Sequence, residues 1–332
     1  MVDFEKRLSE FLARHNAHPE FLQLSQDAST REYFRISWEG RPAVACIYPE
    51  AFAAEEQNYL DVTGLFLAGG LPVAEIYTVD EELGIIVLED LGDDILRDRL
   101  AESTHEERER LLGEAIALIA KIQAATPLAY RLDSIAAKLR FDVEKLLWEL
   151  NFFFEHYFTT YKRRPTDEAT AREVSVGFQE LSEELESRAT VLCHRDFHAA
   201  NLMISTDGGL RIIDHQDARI GSVTYDLVSL LLDRVTEPPA EEWVLEKQRL
   251  LLAEREKMGM PEISEDEFAA EFRLQAIQRC LKAVGTFSYQ STVRGKDYFI
   301  PYIVPMLRIA LENVSGSGRF PALRRLLESE LA

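Results

Sequence analysis

The segment of residues 191–204 limits what this chain can fold into more than any other part of the sequence. It begins with a short apolar run, continues into a polar loop that contains His194, Asp196 and Asn201, and ends in a second apolar run, Leu202–Ile204. Short apolar runs bounded by polar residues are typical of buried strands. The segment therefore predicts two strands with a polar loop between them, and residues in loops held by a rigid scaffold often carry function.

A third apolar run, Leu210–Ile213, ends in Asp214, thirteen residues after Asn201. The sequence Asp207-Gly208-Gly209 precedes this run and is typical of a hairpin turn. Such a hairpin places Asn201 and Asp214 close together. Their side chains offer oxygen atoms, which suit Mg²⁺, an ion that takes one or two ligands from protein and the rest from phosphates and water. We therefore predict that Asn201 and Asp214 bind Mg²⁺.

The spacing His-x-Asp-x-x-x-x-Asn is that of a phosphotransfer loop. In such a loop the Asp accepts or orients the attacking hydroxyl, which predicts this role for Asp196. We expect His194 to brace the loop rather than to transfer a proton. These residues indicate transfer of a phosphoryl group from a nucleotide triphosphate, and they leave the acceptor and the choice between ATP and GTP open.

A transition-metal cluster is the alternative for this region, because Cys193, His194, Asp196, His198 and His215 lie close in sequence. Zinc sites prefer Cys and His residues that are separated at set spacings. In addition, Cys193 should point into the core if His194 points towards a cleft. We therefore expect no zinc.

Acidic residues are in large excess, with 58 Asp and Glu against 37 Lys and Arg and a net charge of −21. Nucleic acids and anionic membranes attract basic surfaces, so we expect neither as a partner. The three cysteines are isolated and indicate no disulfide framework. The first residues do not resemble a signal peptide, and we expect no apolar run long enough to span a membrane. These features predict a cytoplasmic protein.

The pattern of apolar residues predicts an α+β fold, a bilobal protein-kinase-like fold with a small β-sheet lobe at residues 1–92 and a larger helical lobe at 93–332. The strands predicted in the first lobe are Phe21–Ser25, Arg31–Trp38, Ala43–Tyr48, Ile76–Val79 and Ile85–Leu88. A helix is predicted to begin at Pro49 and to end at Gly69-Gly70. In the second lobe we predict helices at 106–125 and, rich in aromatic residues, at 136–190.

The predicted strands of the first lobe carry no lysine, since none occurs between Lys6 and Lys121. Kinases usually carry a lysine on the third strand that pairs with the nucleotide phosphates. Arg31 and Arg35 lie on one face of the second predicted strand, and arginine binds phosphate well through its planar guanidinium. We predict that at least one of them binds phosphate. The alternative is that both pair with acidic residues of the following helix, such as Glu55 or Glu56.

Two further segments are predicted to contact the nucleotide. The polar turn that contains Ser29 and Thr30 lies beside the two arginines and offers backbone N–H groups to the phosphates. The stretch Glu89-Asp90-Leu91-Gly92 follows the last predicted strand of the first lobe and would form the hinge between lobes. We expect the adenine to lie against Glu89 and Leu91, with hydrogen bonds to the backbone.

The segments discussed resemble the aminoglycoside phosphotransferase and choline kinase superfamily. Within it, they are most similar to the anomeric sugar kinases that phosphorylate N-acetylmuramate and N-acetylglucosamine at the 1-hydroxyl during cell-wall recycling. The matching segments run in order along most of the chain and are Asp27–Arg35, Leu88–Asp93, Cys193–Met203, Asp214–Ala218, Gly221–Val228 and Gln278–Phe287. The resemblance implies an ATP- and Mg²⁺-dependent kinase that acts on an amino sugar. It also implies that Asp226 accepts hydrogen bonds from N–H groups of the catalytic loop.

Four residues are predicted to contact the acceptor: His198, Gln216, Asp217 and Arg279. Arg279 and Lys282 lie one helical turn apart and share a face of a predicted helix. They would bind a carboxylate of the acceptor or, as the alternative, belong to a salt-bridged helix surface.

Three other functions are weighed against an amino sugar kinase. An aminoglycoside phosphotransferase is the alternative among enzymes, and a pseudokinase-like nucleotide-binding regulator is the alternative of another class. A protein kinase is disfavoured because Asp226 follows Asp214 by only twelve residues. That interval leaves no room for the segment with which protein kinases hold a peptide.

Overall fold

The computed structural model describes residues 4–24 and 30–332, and these residues form two compact units. The first unit is Met1–Ser103 together with Ala200–Asp217, and the second is Thr104–Ala199 together with Ala218–Ala332. These units differ from the predicted division at residue 92, because the predicted metal-binding hairpin groups with the first unit although it lies far along the chain.

The first unit contains an antiparallel sheet of five strands in the order β1-β2-β3-β5-β4. Its strands are β1 Phe21–Gln23, β2 Glu32–Trp38, β3 Arg41–Ile47, β4 Ile76–Asp80 and β5 Ile85–Glu89. Along β2, Phe34, Ile36 and Trp38 are buried and alternate with more exposed residues, as the two-residue repeat of a strand requires. All five predicted strands are present, with ends that differ by at most two residues, and Ser25, the predicted end of the first strand, lies outside the described residues.

Helix α1, Phe4–Arg14, packs on one face of this sheet. Its buried residues Leu8, Phe11 and Leu12 are spaced three and four apart, which places them on one side of the helix. They form a continuous apolar core with the buried residues of β2, β3 and β5.

The helix predicted to begin at Pro49 begins instead at Asn58, so that prediction was wrong at its start. Helix α2 is Asn58–Ala68 and follows a single 3₁₀ turn, Ala54–Glu56. The backbone N–H of Phe52 donates to the Glu81 carbonyl at 3.2 Å, and that of Ala54 donates to the Glu81 carboxylate at 3.1 Å. Because the turn between β4 and β5 takes these donors, the chain cannot continue a helical hydrogen-bond pattern there. A short helix, α3 at Leu96–Glu102, completes this part of the first unit.

The hairpin predicted after the catalytic loop is present. Its strands, β7 Leu202–Ile204 and β8 Leu210–Ile212, pair antiparallel across a turn in which Gly208 has a φ of +85°. A side chain at this position would be strained, so glycine is required. Single bridges from Ile212 to Val73 and from Met203 to Ile95 attach the hairpin to the first unit.

The second unit is mostly helical. Its helices are α4 His105–Ala124, α5 Thr126–Arg131, α6 Ile135–Lys138, α7 Val143–Phe154, α8 Glu168–Ser187, α9 Tyr225–Leu232, α10 Glu241–Lys257, α11 Glu265–Arg294, α12 Ile303–Ser317 and α13 Pro321–Leu331. A π-helical stretch, Glu155–Tyr161, continues α7 and buries part of the aromatic cluster. A two-stranded sheet pairs β6, Val191–Cys193, with β9, Arg219–Gly221, and the sequence analysis did not predict β9.

One helical run is long and apolar enough to cross a membrane by length and composition, which the sequence analysis did not expect. It comprises His105–Arg131, and 56% of its most apolar window is buried inside the protein. Buried core helices have the same composition, so the run is weak evidence for a membrane segment.

Candidate active site

The loop that follows β6 is held by the carboxylate of Asp226, at the start of α9. The backbone N–H of His194 donates to Asp226 Oδ2 at 2.7 Å, and that of Arg195 donates to Oδ1 at 3.1 Å. Arg195 has a φ of +87°, a region that residues other than glycine rarely adopt. The two hydrogen bonds stabilise this strained backbone, so the position of the Asp196 side chain is set by a buried carboxylate on another element.

Three cations surround the carboxylate of Asp196. Arg279 Nη2 lies 3.4 Å and Lys282 Nζ 3.9 Å from Oδ1, while Arg195 Nη1 lies 3.4 Å from Oδ2. Burial alone would raise the pKa of Asp196, but these charges outweigh burial and hold the pKa well below its usual range. Asp196 is therefore ionised at neutral pH. Such a weak base is suited to orienting a hydroxyl rather than to removing its proton early.

Asp196 opens onto a cavity of about 190 Å³ within the second unit. His198, Arg279 and Lys282 line this cavity together with Thr286 and Phe287. Its mixture of charged, polar and aromatic groups suits a small polar ligand.

Two predicted acceptor-contacting residues lie in this cavity. Arg279 is only 12% exposed and donates to Ser229 Oγ at 2.6 Å, so it does not belong to a salt-bridged helix surface. Burial lowers the pKa of His198, which favours its neutral form. Both residues line the same cavity as Asp196, but their contact with an acceptor stays a prediction.

Asn201 and Asp214 lie together in the first unit, at the open end of the β7–β8 hairpin, because Asn201 directly precedes β7 and Asp214 closely follows β8. Asn201 Nδ2 is 3.5 Å from Asp214 Oδ2, and Gln216 Nε2 donates to Asp214 Oδ1 at 2.9 Å. Asp214 has a φ of +61°, which an Asp residue tolerates better than most. One carboxylate and one amide oxygen fit the donor set of Mg²⁺, which keeps several ligand positions for water and phosphate. The metal-binding role of this pair stays a prediction.

A cavity of about 310 Å³ lies within the first unit beside this pair. Its apolar lining includes Val44 and Leu88 from the sheet and Met203 and Ile213 from the hairpin segment. Its polar lining includes five residues predicted to bind the nucleotide, the metal or the acceptor: Arg31, Glu89, Asn201, Asp214 and Gln216. Asp90 and Leu91 also line it. An apolar slot next to polar groups and oxygen ligands suits a purine base followed by phosphates.

The two candidate phosphate-binding arginines have different surroundings. Arg31 lines the cavity, with Nη2 3.8 Å from Asp214 Oδ1 and Nη1 3.4 Å from the Tyr48 hydroxyl. Arg35 is held by Asp90 through two contacts of 2.6 and 3.1 Å and also by Asp93. Arg35 thus pairs with Asp90 and Asp93 rather than with Glu55 or Glu56, which were the predicted alternative partners. Among the described residues, Arg31 lines this cavity and Arg35 does not. A phosphate-binding role for either arginine stays a prediction.

For the other residues predicted to contact the nucleotide or the acceptor, the structure shows fewer contacts that bear on their roles. Ser29 lies outside the described residues, and Thr30 is exposed at their edge. Asp217, in the turn after Gln216, does not line the cavity of the first unit. The side chain of Glu89 pairs with Arg211. The predicted contact of Glu89 with the nucleotide would therefore be made by its backbone.

The described residues contain no group of three or more His, Cys, Asp and Glu side chains that could hold a metal ion. Burial raises the pKa of the Cys46 thiol to about 11 and that of Cys280 to about 12, so neither is a thiolate at neutral pH. Cys193 is also buried and free.

Two residues that shape the surroundings of Asp196 were not predicted from the sequence. Arg195 is adjacent to it in the motif, which was an available signal. Ser229 reaches this region through helix packing, because it binds Arg279, and it had no local signature in the sequence.

A model of the phosphotransferase enzyme family matches residues 20–260 of this chain. The chain belongs to this family. A relative of this phosphotransferase, N-acetylmuramate/N-acetylglucosamine kinase from Neisseria meningitidis serogroup B, is 32% identical over 287 residues. That alignment covers 83% of this chain and 80% of the relative.

Solved structures show the same fold. Choline kinase LicA from Streptococcus pneumoniae has a TM-score of 0.60 at 15% identity, covering 94% of this chain and 98% of its own. The ADP-bound aminoglycoside phosphotransferase APH(2'')-Ib has a TM-score of 0.57 at 13% identity, covering 93% and 98%. The α+β fold class and the resemblance to the aminoglycoside phosphotransferase and choline kinase superfamily are both confirmed.

Proposed function

We propose that this phosphotransferase transfers the γ-phosphoryl group of ATP to the anomeric hydroxyl of N-acetylmuramate or N-acetylglucosamine, in the cytoplasm and in a Mg²⁺-dependent reaction. The observation that carries the proposal is the relative from Neisseria meningitidis, a kinase of these two sugars by name, which is 32% identical over most of both chains. The ADP-bound family structure supports an adenine nucleotide as the donor.

Each candidate residue has a separate role in the proposed reaction. Asp196 orients the acceptor hydroxyl for attack, and positioning of this kind supplies much of the acceleration in phosphoryl transfer. Asn201 and Asp214 hold Mg²⁺, which when bound neutralises charge on the phosphate oxygens. Arg31 supplies the cation that the third strand lacks. The backbone of Glu89 and Leu91 receives the adenine.

The charge state of Asp196 favours an acidic hydroxyl as acceptor. Burial raises the pKa of Asp196, but the charges of Lys282, Arg279 and Arg195 outweigh burial and lower it. Asp196 is therefore a weak base. The anomeric hydroxyl of a sugar is more acidic than its other hydroxyls and therefore requires less from the base. The higher acidity of the anomeric hydroxyl therefore favours a 1-phosphate product over a 6-phosphate product.

The test is a turnover assay with ATP, Mg²⁺ and a panel of N-acetylmuramate, N-acetylglucosamine, choline and aminoglycosides, with products identified by phosphorus NMR. We expect an anomeric phosphate from at least one of the two amino sugars. A 6-phosphate, or activity confined to choline or aminoglycosides, would contradict the proposed acceptor and leave phosphotransfer in place. Nucleotide binding without turnover of any acceptor would support the regulator instead.

Asp196→Asn is the matched control for this assay, because it keeps the side-chain shape and removes the charge. We expect turnover to fall at least about 10²-fold, the size typical of a positioned acid–base group, with nucleotide binding retained. Near-normal turnover in this variant would remove Asp196 from the reaction.

A further inference from the structure

A buried ion-pair chain in the second unit connects Glu149 on α7 to Asp196 through Lys282 on α11. Lys282 Nζ lies 3.5 Å from Glu149 Oε1 and 3.9 Å from Asp196 Oδ1. We propose that Glu149 holds Lys282 against Asp196, and that Lys282 thereby acts as a positioning residue for the carboxylate that orients the acceptor. The inference rests on the proposed function in one respect, the role of Asp196.

The burial of Glu149 is the first argument. Its side chain is only 1% exposed. Its carboxylate pairs with Lys282, accepts a hydrogen bond from Gln278 Nε2 at 2.7 Å and lies 3.9 Å from Lys145 Nζ. A buried carboxylate costs free energy unless it is paired and hydrogen-bonded, and replacing such a pair by apolar residues is often neutral or stabilising. A contribution to stability therefore does not explain why a carboxylate is buried at position 149. The need to hold the Lys282 ammonium in place does explain it.

The packing of α7 on α11 is the second argument, because it sets the position of Lys282. Gly285 lies three residues after Lys282, and a Cβ atom there would be 2.6 Å from Phe153 Cα and 2.8 Å from Phe153 N. Phe153 lies one helical turn after Glu149 on α7. The two backbones thus approach closely beside the ion pair, which fixes the distance between Glu149 and Lys282.

The arrangement of charges around Asp196 is the third argument. Arg279 and Lys282 both approach Oδ1 from α11, and Arg195 approaches Oδ2 from the loop itself. Each α11 cation has an anchor of its own, which is Ser229 for Arg279 and Glu149 for Lys282. Two separately anchored cations on one oxygen fix the rotation of the carboxylate, and this rotation decides where an acceptor hydroxyl is held.

The experiment compares Lys282→Ala with Lys145→Ala. Both variants remove a lysine paired with Glu149, but Lys145 has no contact with Asp196 among the described residues. For Lys282→Ala we expect kcat to fall about 10- to 100-fold, the size typical of a misplaced reacting group, with the KM for ATP unchanged within about 2-fold. For Lys145→Ala we expect kcat within about 3-fold of the wild type.

Chemical rescue separates positioning from a general structural role. Adding ethylammonium ions to Lys282→Ala restores a cation beside Asp196, so we expect kcat to rise with amine concentration. The Asp196→Asn variant should show no rescue. Glu149→Gln should lower kcat in the same direction as Lys282→Ala, because its Lys282 ammonium is no longer held.

If the single variants misfold, a double variant still tests whether Lys282 positions Asp196. The double variant Glu149→Gln/Lys282→Met removes the pair without leaving an unpaired buried charge, and its kcat then gives the answer. Wild-type kcat in folded Lys282→Ala or in the double variant would overturn the inference while leaving the proposed function in place. Full activity of Asp196→Asn would instead contradict the role of Asp196 in the proposed function, and failure of the wild type to phosphorylate either amino sugar would contradict the proposed function itself.

Discussion

At the scale of single residues, the two candidate carboxylates, Asp196 and Asp214, have different surroundings. Asp196 is surrounded by three cations in the second unit, whereas Asp214 in the first unit has Asn201, Gln216 and Arg31 within reach. The first carboxylate is thus neutralised by the protein. The second has one cation among these groups, Arg31, so less of its charge is neutralised.

Removal of the Asp214 carboxylate should impair use of Mg²⁺. We expect Asp214→Ala to raise the Mg²⁺ concentration needed for half-maximal turnover and to lower turnover at saturating Mg²⁺, because a charged ligand is lost. Asn201→Ala should have a smaller effect of the same kind, because its amide is neutral. Titration of activity against free Mg²⁺ measures both, and an unchanged Mg²⁺ dependence in Asp214→Ala would refute the metal assignment.

The two arginines at the second strand should differ in their effect on ATP. Arg31→Ala should raise the KM for ATP, since Arg31 lines the cavity beside Asp214, with little change in the KM for the sugar. Arg35→Ala is the matched control, because Arg35 is held by Asp90 and Asp93. Steady-state kinetics with each substrate varied in turn tests this. Equal effects of the two substitutions on the KM for ATP would contradict the distinction.

At the scale of secondary-structure elements, the contact between α7 and α11 is one that a side chain at Gly285 would disturb. Gly285→Ala would place a methyl group 2.6 Å from the backbone of Phe153, and backbone cannot move aside as a flexible side chain can. We expect the free energy of unfolding to fall by about 1–3 kcal/mol, as in overpacked cores.

Gly64→Ala in α2 is the matched control for this helix contact. No atom lies within 4 Å of a Cβ built at Gly64, so alanine should stabilise the helix by about 0.5–1 kcal/mol. Denaturant unfolding of both variants gives the two values. A Gly285→Ala variant as stable as Gly64→Ala would show that α7 and α11 are not closely packed.

At the scale of the whole molecule, the net charge of −21 is the dominant property. Like charges on one compact chain repel one another, and salt screens that repulsion over a Debye length of about 10 Å at 0.1 M. We expect the melting temperature to rise between about 0.02 and 0.2 M NaCl. Differential scanning fluorimetry measures it, with sucrose of equal osmolality as the control. A melting temperature that falls with salt would mean that surface ion pairs outweigh the repulsion.

The sequence by itself determined the parts of this protein that depend on short-range patterns. The hairpin between Asn201 and Asp214 could be predicted because a glycine turn and two short apolar runs specify it locally. The strands of the first unit could be predicted because alternation of apolar residues sets which face of a strand is buried. The superfamily followed from motifs in the same order along the chain, and the family match agrees with it.

Only the tertiary structure decided the features that depend on residues far apart in sequence. The cations Arg279 and Lys282 reach Asp196 across more than eighty residues because α11 packs beside the catalytic loop within the second unit. The start of α2 at Asn58 was missed because the turn at Glu81 takes backbone donors that a local pattern cannot reveal. Such contacts are set by packing between elements, and no spacing along the chain encodes them.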